Sequence, residues 1–503
     1  MKAKTLQVCG TGSGVGKSVI VSALCRIFLQ EGYRVAPFKA QNMALNSFVT
    51  REQGEIGRAQ ATQAQSCRIE PTIDMNPVLI KPTSDVGAQV IVLGKPIGNM
   101  NALRYTKYKS RLLDVVRGSF RRLAADYEVV VIEGAGSPAE INLKSHDIVN
   151  LKMAAYAKAP VILVGDIDKG GFFAWIVGTL ELLTPNERRM IKGIIVNKFR
   201  GDITLLKPGI DFLERRTGIK VLGVIPYYKD IKIAEEDAVP LDNFKDNLSG
   251  RQRRLNIDVV YLPHISNFTD FDCLEKEPDV RLRYIKSPEE LNKPDMIIIP
   301  GTKNTISDLR YLIKSGFIKR ILSIINSGKP VSLLGICGGY QMLGRRIHDK
   351  HGLESKRRQI PGLNLLSVET SLKPDKTLAR VEAKELSSGL KLSGYEIHHG
   401  LTRITGKCDP LFEVFESNGK KAKYPEGAIS KDRRILGTYI HGIFDAAAFR
   451  RSFLNRLRRK KGWPALPVKE NFNPDKEFDK LAQLVRDNID MGLLRKILAK
   501  GLR

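Results

Sequence analysis

Two short stretches of this chain hold residue types whose spacing could do chemistry. The first is GTGSGVGKS, Gly10 to Ser18. Glycines at 10, 14 and 16 let backbone N–H groups converge on phosphate oxygens with no Cβ in the way, and a following helix adds positive potential at its N-terminus. Lys17 can reach the terminal phosphates of a nucleotide, and the Ser18 hydroxyl can join a Mg²⁺ shell. The second is LLGICGGYQMLG, in which Cys337 follows an apolar run and is flanked by Gly335, Gly338 and Gly339. A nucleophile elbow needs that pattern, because the sharp turn holds the thiol clear and small neighbours give it room. A helix starting after Cys337 favours the thiolate. The Gly338 N–H then faces a developing oxyanion, with a second donor expected at Gly301 in IIIPGTKNT. His441 in GTYIHGIF is the natural base. A cysteine between glycines can also be a small core residue. The order PGTKNT, CGG, YIHG argues for chemistry.

These residues need strands to carry them. In the first half LQVCG, RVAPFK, VVVIEGAG, PVILVGDID, IKGIIVNKF and VLGVIP read as buried parallel strands separated by helix-length segments. IDVVYLP, MIIIPGT, PVSLLGICGG and RILGTYIHGIF form a second series. The pattern predicts an α/β protein made of two doubly wound α/β domains. The expected division is a phosphate-loop domain over 1–246, a polar linker over 247–254, a second domain over 255–450, and a basic helical extension over 451–503. Strand ends supply further candidates, since open α/β sheets bind ligands there. Glu133 and Asp166, with Asp168 as an alternative, are candidate Mg²⁺ ligands. Lys39, Gln41 and Asn42 are candidates for γ-phosphate and substrate contacts.

The 503 residues carry 82 basic and 54 acidic side chains, a net charge of +28. The basic residues are spread along the chain. Clusters such as RQRRL near 251 and RRSFLNRLRRKKGW near 450 are short and lack interleaved aromatics, so no nucleic-acid partner is expected. No apolar run approaches the roughly 20 residues of a membrane span, and no membrane insertion is expected. Six scattered cysteines without a CxxC pair fit a reduced, cytoplasmic protein. Adjacent His398 and His399 diverge on a strand, which argues against a metal site there.

The five residues between Gly10 and Gly16, where the common loop has four, resemble dethiobiotin synthetase and its relatives, which activate carboxylates with ATP. In that superfamily an Asn-Lys pair after a strand reads the base, which implies adenine for Asn197. The PGTKNT, Cys337 and His441 elements resemble a class I glutamine amidotransferase. They depart from it at one point. The usual Glu two residues after the histidine is Ile443 here, leaving Asp445 as a weak substitute for orienting His441.

VAPFKAQNMALNSFVT (35–50), EIGRAQATQAQ (55–65), MNPVLIKPTSD (75–85), QVIVLGKPIG (89–98) and GYEIHHG (394–400) complete a resemblance over nearly the whole chain to the adenosylcobyric acid synthases of cobalamin biosynthesis, the CobQ/CbiP type. The missing acid is itself a feature of the cobyrinate-amidating branch. The resemblance implies a ligase that uses glutamine, ATP and Mg²⁺, with no tightly bound organic cofactor, to amidate the b, d, e and g carboxylates of adenosylcobyrinic acid a,c-diamide. Tyr395, with Glu396, His398 and His399 in YEIHHG, is a candidate to face the domain interface or the substrate. Two alternatives stand beside the resemblance: a cobyrinic acid a,c-diamide synthase-like amidotransferase, and a DNA-binding partition-type ATPase with a dead amidase-like domain. The stretch 35–50 argues against the first, and an intact Cys337 and His441 against the second.

Overall fold

A computed structural model of the chain describes residues 3–84, 87–228, 231, 254–355, 357–469 and 473–502. It divides into two units. One comprises Met1–Ala44, Gly54–Asp237 and Asn473–Arg503, the other Leu45–Gln53 and Ala238–Phe472.

All six strands expected in the first half form one parallel sheet. Its order is Val221–Pro226, Ile191–Phe199, Val161–Asp166, Lys4–Gly10, Val129–Glu133, Val35–Phe38. Val- and Ile-rich segments buried on both faces suit central parallel strands. The phosphate-loop strand Lys4–Gly10 lies in mid-sheet, and helix Lys17–Gln30 follows the loop. The loop closes through Gly16 at φ 97°, where a Cβ would come within 2.2 Å of Asn197 Nδ2. Only glycine fits there. A smaller sheet, Gln41–Met43, Val78–Ser84, Gly87–Val92 and Lys95–Asn101, extends the unit.

In the second unit five parallel strands run in the order Val280–Ile285, Leu255–Val260, Met296–Ile299, Ser332–Ile336, Ile435–Thr438. Two short antiparallel strands, Ala428–Ser430 and Cys408–Asp409, continue the sheet. A second sheet is built on the long hairpin Val368–Glu385 and Lys391–Ile404, and Ile440–His441 pairs with that hairpin.

The expected linker lies outside the described residues except for Arg254. The basic extension expected over 451–503 is divided. Helix Ala447–Lys460 belongs to the second unit, whereas Pro474–Asn488 and Met491–Lys500 belong to the first. There Leu481, Val485, Leu494 and Leu498 join the core of helix Lys17–Gln30, and buried Arg26 pairs with Asp475 and Asp479 at 2.7 Å each. The basic run near 450 is also largely structural. Arg450 pairs with Glu277, Arg451 with Glu277 and Asp279, and Arg458 with Asp279, all buried. Buried charges need such pairing to be tolerated at all. Among the described residues no helix is long and apolar enough to cross a membrane.

Candidate active site

In the first unit Gly14, Gly16, Lys17, Ser18, Lys39, Asn42 and Glu133 line one cleft. Lys17 Nζ donates to the Gly12 carbonyl at 2.7 Å and to the Gly136 carbonyl at 3.3 Å. Ser18 Oγ donates to Glu133 Oε1 at 2.8 Å, and Lys39 Nζ reaches the same oxygen at 2.9 Å. Gln63 Nε2 donates to Glu133 Oε2 at 2.5 Å. Burial pushes the Glu133 carboxyl up. The Lys39 charge and hydrogen bond, the Gln63 amide and Lys17 outweigh burial and hold it below the usual carboxylate range. A hydroxyl and an ionised carboxylate in contact are hard oxygen donors that suit Mg²⁺. Gln63 was not among the expected site residues, although it lies in the EIGRAQATQAQ stretch.

The remaining candidates of this unit are engaged nearby. Asp166 pairs with Lys198 at 3.0 Å and accepts from the Asp168 N–H, while Asp168 pairs with Arg200 at 2.7 Å. Asn197 is fully buried behind the loop, where its Nδ2 donates to the Val15 carbonyl at 2.9 Å. Gln41 Oε1 accepts from the Tyr105 hydroxyl at 2.5 Å, and Asn42 Nδ2 donates to Gln60 Oε1 at 3.0 Å.

The second unit brings Cys337 and His441 together. Cys337 follows strand Ser332–Ile336 at φ 52°, ψ −108°, strained for a residue with a Cβ, and helix Gly338–Leu343 starts immediately after it. A Cβ at Gly339 would lie 2.0 Å from the Ile299 carbonyl oxygen, so the turn passes against the neighbouring strand where no side chain fits. The Gly338 Cα packs on Thr302, and the Gly301 backbone lies against the His441 ring. The loop of Gly301 and Thr302 is fixed by buried Asp308, which binds the Thr302 hydroxyl at 2.5 Å and His264 Nδ1 at 2.7 Å. The Cys337 thiol donates to the Ile397 carbonyl at 3.4 Å.

The acid behind the histidine is Asp270. Its Oδ2 lies 2.7 Å from His441 Nδ1, and its Oδ1 accepts the Gly442 N–H at 3.0 Å. It comes from the short turn Phe268–Phe271, 171 positions before the histidine. This corrects the expectation for Asp445, which instead lies 3.3 Å from the Cys273 thiol. Ile443 is a core residue, 1% exposed. Burial pushes the His441 imidazole down, but the Asp270 charge and hydrogen bond, followed by Cys337, more than reverse this and raise it to about 10. The imidazolium is thus the stable form near neutrality, and Asp270 fixes the tautomer when the proton leaves. Tyr395 stacks on the His441 ring, with centroids 5.3 Å apart and planes at 18°. No spacing rule connects Asp270 to Cys337 or His441. The only sequence clue was the absence of an acid at 443.

A strand-end thiol on a strained turn and an Asp-paired histidine are the groups a thiol amidase would need, and they share the chain with a phosphate-loop domain. Comparison with known proteins agrees on both halves. Residues 256–449 match the CobB/CobQ-like glutamine amidotransferase domain, and residues 6–241 match the CobQ/CobB/MinD/ParA nucleotide binding domain. A cobyric acid synthase of Dehalococcoides mccartyi is 50% identical over 100% of both chains. The cobyric acid synthase of Syntrophobacter fumaroxidans is 48% identical over 99% of each. That of Clostridium botulinum is 47% identical over 98% of this chain and 99% of its own. The chain belongs to the cobyric acid synthase family. It is an enzyme that joins a glutamine amidotransferase domain to a nucleotide-binding domain.

Proposed function

We propose that this enzyme amidates the b, d, e and g carboxylates of adenosylcobyrinic acid a,c-diamide, using ATP to activate each carboxylate and glutamine to supply ammonia. The observation that carries the reading is the Cys337–His441–Asp270 centre, in a chain that keeps full-length likeness to cobyric acid synthases.

At the glutaminase centre the Cys337 thiolate attacks the glutamine amide carbon. The oxyanion is held by backbone N–H groups at Gly338 and Gly301. The His441 imidazolium gives its proton to the departing ammonia, and Asp270 holds the ring in place for that transfer. Water then attacks the thioester, His441 takes its proton, and glutamate leaves.

At the other centre the glycines at 10, 14 and 16 and Lys17 bind the ATP phosphates, with Lys39 at the γ-phosphate and Asn197 toward the adenine. Ser18 and Glu133, together with Asp166, would hold the Mg²⁺ that arrives with ATP. The ion neutralises phosphate charge when bound. A corrin carboxylate, positioned by Gln41 and Asn42, attacks the γ-phosphorus and ADP leaves, giving an acyl phosphate. Ammonia attacks its carbonyl carbon, phosphate leaves and a proton is lost, giving the amide. Lys17 and Lys39 act by charge and position.

The test is mass spectrometry of the corrin after incubation with ATP, Mg²⁺ and glutamine. Successive exchange of OH for NH₂ at the b, d, e and g positions is the expected result. An unchanged corrin, or exchange only at the a and c positions of a less amidated precursor, would contradict the assignment.

A further inference from the structure

The stretch that most distinguished this sequence, VAPFKAQNMALNSFVT, is split between the two units. The chain leaves the first unit after Ala44 and returns at Gly54, and the intervening Leu45–Gln53 belongs to the second. Within that unit the segment meets both groups that hold His441.

The first meeting is with the turn that carries Asp270. The Ser47 N–H donates to Asn267 Oδ1 at 3.1 Å, and the Phe268 N–H donates to Asn46 Oδ1 at 3.2 Å. Asn46, Ser47 and Asn267 are all buried, so breaking this reciprocal pair strands polar groups away from water. Asn267 holds a left-handed conformation, φ 54°, and its carbonyl accepts from the Asp270 N–H at 3.0 Å. The segment thereby fixes the start of the turn whose third residue orients the histidine.

The second meeting is with the ring stacked on His441. Phe48 packs on Tyr395 at 5.4 Å between centroids, and Tyr395 lies on His441. Val49 forms a buried cluster with Tyr395 and Ile397. Ile397 is the residue whose carbonyl receives the Cys337 thiol.

We propose that Leu45–Gln53, carried by the nucleotide-binding half of the sequence, is a positioning element of the glutaminase centre. It fixes Asp270 through Asn46 and Ser47, and Tyr395 through Phe48, and by both routes it fixes His441. The proposal rests on the reading of Cys337 and His441 as the glutamine-hydrolysing pair. Phe48 is not itself catalytic, since it acts through Tyr395. Misplacement of a catalytic group by about 1 Å can lower a rate roughly 10²-fold, so a side chain that never touches substrate can still set turnover.

The test uses the full-length enzyme carrying Phe48→Ala, Phe48→Tyr or Asn46→Ala. Glutamine hydrolysis, ammonium-driven corrin amidation and the pH profile of Cys337 alkylation by iodoacetamide are measured for each. Phe48→Ala and Asn46→Ala lower kcat for glutamine hydrolysis by roughly 10- to 100-fold, with little change in KM, and shift the alkylation profile. Phe48→Tyr restores both, and ammonium-driven amidation stays at the wild-type rate. Wild-type glutamine turnover and an unchanged profile in both alanine variants would overturn the proposal. Parallel loss of the glutamine- and ammonium-driven reactions would also overturn it, by showing a general effect on the fold. Should Phe48→Ala not fold, Asn46→Ala decides alone. A wild-type enzyme inert toward glutamine would instead refute the underlying glutaminase reading.

Discussion

The two centres solve the problem of charge in opposite ways. At the phosphate loop, Lys17, Lys39, Ser18 and Glu133 are polar groups in a cleft, bound to one another and to backbone carbonyls. A nucleotide phosphate has to compete with those partners for each lysine. Burial does not separate the two centres, since Lys17, Lys39 and Glu133 are 6%, 4% and 1% exposed. In the proposed glutaminase centre His441 is 1% exposed, Asp270 3% and Cys337 8%, and the Asp270–His441 bond already matches the role proposed for it, while the Cys337 thiol is held by the Ile397 carbonyl. In a low-dielectric pocket a fixed carboxylate acts on the imidazole far more strongly than it would in water. The first centre exchanges partners with its ligand, whereas the second is preorganised. Loss of a charge should therefore abolish chemistry at the first, and loss of geometry should be felt most at the second.

The comparison breaks if the centres do not respond separately. Lys17→Ala should lower corrin amidation by at least roughly 10²-fold with glutamine and with ammonium alike, because both routes need the phosphorylated carboxylate. Product formation with each nitrogen donor checks this, and near wild-type rates would remove the loop from catalysis.

Asp270→Asn should lower glutamine turnover by roughly 10²- to 10⁴-fold while leaving ammonium-driven amidation unchanged. The sign of the pH effect follows from the same contact. Asp270 is the largest cause raising His441 to about 10, so its neutralisation should move the alkaline limb of glutaminase activity down toward the ordinary imidazole value. In wild type, stability from this pair is full below the unfolded imidazole value and is lost as pH rises through about 10. Ile443→Glu should not rescue Asp270→Asn, because position 443 is in the core and a carboxylate there meets a desolvation penalty of several kcal/mol. Rescue in the double variant would show that the position of the acid is interchangeable.

A smaller effect tests how the histidine strand is anchored. Glu426 accepts from the Thr438 hydroxyl at 2.7 Å and from the Tyr439 N–H at 2.6 Å, two residues before His441. Burial, followed by the Glu396 charge, pushes its carboxyl up to about 8. A carboxyl raised on folding keeps its proton in the native state, so it makes stability fall as pH rises from the ordinary carboxyl range toward 8. Glu426→Gln should remove that slope, which denaturation midpoints at pH 5 and pH 9 would register. An unaltered slope would mean that Glu426 is ionised throughout.

Much of this was legible in the chain, and the reason is locality. The phosphate loop is one contiguous run, and Cys337 announces itself by its flanking glycines, because a strained turn constrains its immediate neighbours. The six strands of the first sheet are short, mostly apolar runs, several of them rich in Val and Ile, separated by segments of helical length. Asp270 was not legible because its contact with His441 depends on how a loop from one strand end folds over another. An acid at 443, beside the histidine, would have been found at once. The helices Pro474–Asn488 and Met491–Lys500 were legible as helices, but charge masked the stripe of Leu481, Val485, Leu494 and Leu498 that assigns them to the first unit. Leu45–Gln53 was marked as distinctive, yet nothing in its composition says which unit it joins.

The most direct test of two separable centres is nitrogen-donor switching in Cys337→Ala. Glutamine hydrolysis should fall by orders of magnitude, since no other thiol stands at the elbow. Ammonium at elevated pH should still amidate the corrin at the wild-type rate, because ammonia can intercept the acyl phosphate directly. Retained glutamine-dependent amidation, or loss of the ammonium-driven reaction in a variant whose circular dichroism is intact, would contradict the account.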